Sequence, residues 1–226
     1  MTDAALDDPV GSSLRGRHAH LGRRVGGAAT YAAGVATFCA LDDGAPWSDL
    51  AELLGPGGFA DMFSSPLEPP AGWEPVFTLP GRQMIHDGVG YASPAADGPD
   101  VVQLTSADVP AMLDLTERTG PGPFGRRTIE MGTYVGVVVD DNLVAMAGER
   151  LSPPGWTEIS AVCTLPEMRG RGYAARLVTA LGVRITERGD KPFLHVAESN
   201  HRAIGVYERL GYRTRRHVTF RGFRTP

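Results

Sequence analysis

Cysteine is nearly missing from this 226-residue chain: only Cys39 and Cys163 are present, far apart and each inside an apolar stretch. That excludes a disulfide-stapled scaffold and fits reduced, buried thiols. Long hydrophobic runs are missing too. No stretch reaches 18 apolar residues, and the opening MTDAALDDPVGSSLRGRHAH carries acids and arginines where a signal peptide requires an apolar segment. The expectation is a soluble, unexported, cytoplasmic protein that does not engage a membrane. No convincing Cys–His or Ser–His–Asp set stands out. His18 and His20, two residues apart on an expected helix, point in different directions with no further Cys or His nearby, so no metal is expected. What is present, 42% hydrophobic and 21% charged residues, suffices for one core of ordinary size or two small ones.

The net charge of −4 conceals an asymmetry. Residues 1–100 hold 13 acids against 5 arginines, whereas residues 200–226 hold 7 arginines against Glu208 alone. Arg213, Arg215, Arg216, Arg221 and Arg224 could face a polyanion. Alternate arginines on a terminal strand more often form a solvated face, and no aromatic–basic module accompanies them, so nucleic acid is not the expected partner.

Turn and linker signals crowd residues 42–100 (DDGAP, GPGG, SSPLEPPAGW, SPAADGPD), which places a boundary near residue 98. A companion region, 1–97, precedes it, with a helix around 10–21, an apolar stretch at 28–41, a short helix at 47–54 and strands at 75–79 and 82–86. This region is read as a degenerate half that extends the sheet or covers a cleft. The domain at 98–226 is patterned more sharply. VVQLT reads as a strand, Ser106–Asp108 opens a helix, and YVGVVVDDNLVAMAGERL reads as a hairpin turning at Asp140-Asp141-Asn142. GWTEISAVCTL is a strand ended by Pro166. A helix follows with Ala174, Leu177, Val178, Leu181 and Ile185 on one stripe, then the strand PFLHVA, a helix from Asn200 to Leu210, and one or two terminal strands. This order describes a mixed α/β layer fold.

The strongest chemical signal is the junction Arg169-Gly170-Arg171-Gly172-Tyr173-Ala174 between strand and helix. Glycines at such a turn let backbone N–H groups approach a phosphate, and the helix N-terminus adds positive potential, so the junction is an anion cradle reinforced by Arg169 and Arg171. Gly170-x-Gly172-x-x-Ala175 also matches the dinucleotide fingerprint, with Glu198 near the place of a ribose-binding acid. A dinucleotide-binding oxidoreductase would need several further β–α units, and only 28 residues follow Glu198.

The stretch PEMRGRGYAARL resembles the acetyl-CoA pyrophosphate loop of the GNAT superfamily of N-acetyltransferases, Arg/Gln-x-x-Gly-x-Gly/Ala, at Arg169, Gly172 and Ala174. NHRAIGVYERLGY resembles that family's second signature at Asn200, Ala203, Tyr207, Gly211 and Tyr212. The resemblance covers about residues 100–226, and LVAMAGER and TEISAVCT are similar to a subgroup of bacterial GNAT-like proteins of unassigned substrate. It implies a mostly antiparallel sheet flanked by helices. It also implies acetyl-CoA as cosubstrate, with pantetheine bonded to backbone at Val162, Cys163 and Thr164, the pyrophosphate held by Gly170, Arg171, Gly172, Tyr173, Ala174 and Ala175, a cofactor contact at Asn200, and Tyr207 as the acid that protonates the departing thiolate.

Acyl transfer from a thioester to an amine independently requires an oxyanion donor, an acid for the sulfur and a base for the amine. Tyr207 fits the acid. Glu158, read as sharing the strand face of Val162, is the candidate base. The expected activity is acetylation of a primary amine, on a small molecule or peptide, by direct attack in a ternary complex. A homodimer is compatible with this reading. The competing reading is a non-catalytic acyl-CoA sensor.

Overall fold

The periodicities resolve into eleven strands and five α-helices over the described residues, 3–91 and 98–226, of a computed structural model. The linker expected at 93–100 lies, through residue 97, outside them. In the first region, α1 (Pro9–Arg15) is capped by Asp8, whose side chain accepts from the Gly11 N–H at 2.9 Å. Pro9 at the first helical position forfeits no hydrogen bond. The helix expected over 10–21 ends here instead: the chain turns at Gly16, and His18 is drawn inside. There the Tyr31 hydroxyl donates to His18 Nδ1 at 2.9 Å, and Nε2 donates to the Met131 carbonyl at 3.1 Å.

The stretch 28–41 is not featureless. With β1 (Gly22–Val25), it forms β2 (Ala28–Tyr31) and β3 (Cys39–Leu41) of a small antiparallel sheet. Both β2 and β3 are buried throughout, so they show no polar–apolar alternation. α2 (Trp47–Leu54) lies where 47–54 predicted a helix and buries Leu50 and Leu53.

The main sheet holds β4 (Phe59–Asp61), β5 (Glu74–Ile85), β6 (Val102–Leu104), β7 (Tyr134–Val139), β8 (Asn142–Glu149), β9 (Trp156–Thr164), β10 (Lys191–Ala197) and β11 (Arg213–Arg224). Their spatial order is β4-β11-β5-β10-β9-β8-β7-β6, and every pairing is antiparallel except β9 with β10. α3 (Val109–Thr119), α4 (Tyr173–Glu187) and α5 (His201–Arg209) complete a mixed α/β fold of the expected kind. The β7–β8 hairpin turns on Asp140 and Asp141, both at positive φ (48° and 61°), the geometry a two-residue hairpin matched to strand twist requires. Leu177, Val178, Leu181 and Ile185 of α4 bury against Val135, Val137, Met146 and Leu194. Burying each such side chain stabilises by about 1.5–3 kcal/mol.

The two strands expected at 75–79 and 82–86 are one. Pro80-Gly81 does not turn, because pairing continues through Thr219–Pro80 and Val218–Gly81 and the Phe220 ring lies where a Cβ on Gly81 would stand, 2.3 Å away. β5 thus sits between β10 and β11, so the first region supplies an inner strand of the main sheet. The charge asymmetry is consumed at the same place: Arg215 and Arg216 pair with Asp7 (2.6 and 3.5 Å) and Arg221 with Glu68.

Candidate active site

β9 and β10 pair only over Trp156–Glu158 and Lys191–Phe193, and then part. Beyond that point β9 departs from regular geometry. Its register against β8 slips between Met146/Cys163 and Gly148/Ser160, and Ala161 adopts φ +52°, a left-handed conformation rare outside glycine. The bulge turns the outer end of β9 into the floor of a cavity of about 650 Å³. That volume lies within the range of ligand-binding pockets.

The structure brings most of the expected cofactor residues together around this space. Val162, Cys163 and Thr164 form the floor. Arg169, Gly170, Gly172, Tyr173, Ala174 and Ala175 form one wall, and Asn200 and Tyr207 stand on the wall made by α5. Arg171, next to them in sequence, is exposed and does not line it. Sequence reasoning missed the end of α3 (Thr119, Gly120, Pro121), Met168, and the α5 residues Arg202, Val206, Arg209 and Leu210. The helical spacing of Ala203, Val206, Tyr207 and Leu210 was a readable signal for that wall. The end of α3 carried none.

The turn itself fits a diphosphate. Gly170 and Gly172 have φ +82° and +79°, and a Cβ on either would meet nothing within 4 Å, so the backbone is open on the cavity side. Gly172 is the N-cap of α4, with no side chain capping the helix and no acid in its first turn. The first N–H groups of α4 therefore remain available to an anion. Arg169 Nε reaches back to the Thr164 carbonyl at 3.4 Å, which keeps its side chain at the turn.

On the α5 wall, Asn200 caps its helix by accepting from the Ala203 N–H at 3.1 Å and leaves its amide nitrogen for a ligand. Tyr207 is buried, its hydroxyl makes no hydrogen bond with a described residue, and burial pushes its pKa up to about 12. It is therefore a phenol, a proton donor, at neutral pH. Burial likewise pushes the Cys163 thiol up, so the thiolate a nucleophile would need is scarce.

Glu158 is not brought to this cavity. It is fully buried three residues before Ala161, where Arg150 donates to it twice (2.7 and 2.8 Å) and His195 Nδ1 lies 2.6 Å away. Burial alone would raise its pKa, but the Arg150 charge and hydrogen bonds, with His195 behind them, outweigh that and hold it at about 2. The expectation that Glu158 shares a face with Val162 assumed unbroken alternation, and the bulge at Ala161 breaks it. Arg150 is also sandwiched by Phe38 (4.9 Å) and Phe63 (4.6 Å). Glu149, the residue before Arg150, pairs with Arg188 at 2.8 Å. Glu198 is held by Arg82 at 2.9 Å and does not line the cavity. With a mostly antiparallel sheet, the dinucleotide reading has no doubly wound frame to stand on.

Among the described residues no group of three or more His, Cys, Asp or Glu side chains converges as a metal site, and no helix is long and apolar enough to cross a membrane. The FR47-like protein family matches residues 134–221. A crystal structure from Novosphingobium aromaticivorans, described as a candidate acetyltransferase of the GNAT family, is 39% identical over 98% of both chains, with a TM-score of 0.88. Two more distant structures share the fold. A GCN5-related N-acetyltransferase from Kribbella flavida is 16% identical (TM-score 0.64), and a GCN5-related N-acetyltransferase-like protein from Streptococcus suis is 17% identical (TM-score 0.59); each aligns over 98% of this chain and 96% of its own.

Proposed function

The chain belongs to the GNAT family, and on that premise we propose that it transfers an acetyl group from acetyl-CoA to a primary amine by direct attack in a ternary complex. One observation carries the reading: where β9 and β10 part, a single cavity gathers the open glycine turn, the bulged strand floor and the protonated Tyr207. Acetyl-CoA would supply the activated acyl carbon. Gly170, Gly172 and the first turn of α4, with Arg169, would hold its pyrophosphate. The backbone at Val162–Thr164 would align the pantetheine arm and donate to the developing oxyanion. As the C–N bond forms and the C–S bond breaks, Tyr207 would pass its phenolic proton to the departing sulfur.

The amine proton leaves through water in this scheme. Glu158 acts at one remove, by holding Arg150 and His195 behind the bulge. The buried, protonated thiols Cys39 and Cys163 support a reaction without a covalent enzyme intermediate and a cytoplasmic site of action. The acceptor is a small-molecule or peptide amine, with neither nucleic acid nor membrane involved.

The test is Tyr207→Phe in a thiol-release assay against a panel of amines. The expected result is a kcat lower by about 10²-fold with KM for acetyl-CoA within about twofold. Unchanged turnover would remove Tyr207 as the acid. A wild-type protein that binds no acetyl-CoA would overturn the donor assignment.

A further inference from the structure

A diphosphate diester carries two negative charges, and the glycine turn, the α4 N-terminus and Arg169 suffice to meet them. The cavity holds more positive charge than that. Arg202 and Arg209, seven residues apart on α5 and so on one face of it, line the same space. Neither makes a hydrogen bond or ion pair with a described residue, whereas Arg215, Arg216 and Arg221 on β11 are all partnered by acids. Arg202 stands in the first turn of α5, which contains no acid; a cation there opposes the helix dipole. The one carboxylate of α5, Glu208, is turned to Arg82 at 3.8 Å. The cavity wall therefore keeps two cations that no acid among the described residues pairs with.

We propose that Arg202 and Arg209 seat the 3′-phosphate on the adenosine end of the acyl donor, so that this chain selects CoA thioesters over their 3′-dephosphorylated forms. The inference rests on the acetyl-CoA reading above. A phosphate monoester brings a charge of about −1.5 to −2 and three acceptor oxygens, the match for two guanidinium forks that the diester oxygens leave unused.

The experiment is calorimetric titration of the full chain with CoA and with 3′-dephospho-CoA, repeated on the double variant Arg202→Gln/Arg209→Gln. Wild type is expected to bind CoA about tenfold or more tightly than dephospho-CoA, a preference that shrinks as salt is raised. The double variant is expected to lose that preference while holding its dephospho-CoA affinity within about twofold. Both side chains are exposed, so its melting temperature should stay within about 2 °C of wild type. Equal wild-type affinity for the two ligands would overturn the 3′-phosphate seat and leave the acetyl-CoA reading standing. An equal loss for both ligands in the variant would assign the arginines to the general field of the cavity and overturn the seat as well. Wild type binding neither ligand would overturn the donor reading itself, and the seat with it.

Discussion

The two ends of β9 do opposite work. Over Trp156–Ile159 the strand is buried, paired with β10 as far as Glu158, bonded through the Glu158 backbone to Arg150 and Leu151, and closed by the Arg150–Glu158–His195 network. Over Ser160–Thr164 it is mostly half-exposed, has lost β10 and floors the cavity. Side-chain polarity does not separate them, since Ile159 and Val162 are alike and Glu158 lies in the sealed end. What separates them is one inserted residue: Ala161 at φ +52° shifts the register and lets the strands diverge. Here a backbone irregularity opens the sheet onto a cavity, and a buried ion pair lies at the sealed side of the opening.

Breaking the sealed end should have the largest effect. Glu158→Gln leaves the Arg150 charge buried without its counter-ion and is expected to cost about 3–5 kcal/mol in urea unfolding. Loss below about 1 kcal/mol would show that the network does not hold that end shut. Because the Glu158 carboxylate titrates at about 2 against an ordinary 4.5, its contribution is complete above pH 4.5 and is lost as pH falls toward 2. The variant should therefore show a shallower acid dependence in that window than wild type. Perturbing the open end should spare the fold and reduce binding. Gly172→Ala puts a side chain at φ +79° and is expected to weaken acetyl-CoA about tenfold, with the fold intact by circular dichroism. Undiminished affinity would move the phosphates elsewhere. The smallest effect is expected at the hinge itself: Ala161→Gly relieves a left-handed alanine and should alter unfolding free energy by no more than about 1 kcal/mol, in the stabilising direction. A loss of several kcal/mol would mean that the alanine methyl, and not the backbone, maintains the bulge.

Much of the second region was legible in the sequence because its elements are long and periodic. The α4 stripe, the Asp140-Asp141 hairpin and the glycine turn each state one structure in local terms, and they carried the glycine-turn wall of the cavity with them. The first region was harder for a physical reason: β2 and β3 are three or four residues long and buried throughout, so no period distinguishes them. The continuity of β5 through Pro80-Gly81 depends on Phe220, about 140 residues later, which no local reading supplies. Glu158 was misplaced because alternation cannot foretell a bulge. Arg202 and Arg209 were passed over because an unpaired arginine looks like any other until its missing partners can be counted in space.

The position of β5 has a consequence for how the molecule is made. It leaves the ribosome well before its partners β10 and β11, so until they emerge its Val76, Phe77 and Leu79, exposed even in the finished protein, belong to a strand without neighbours. Pairing across such a separation is slow and vulnerable to aggregation. A nascent chain that stalls before residue 213 would present an open β edge to its neighbours on the same message, and the twelve residues of β11 act as the latch that ends that interval.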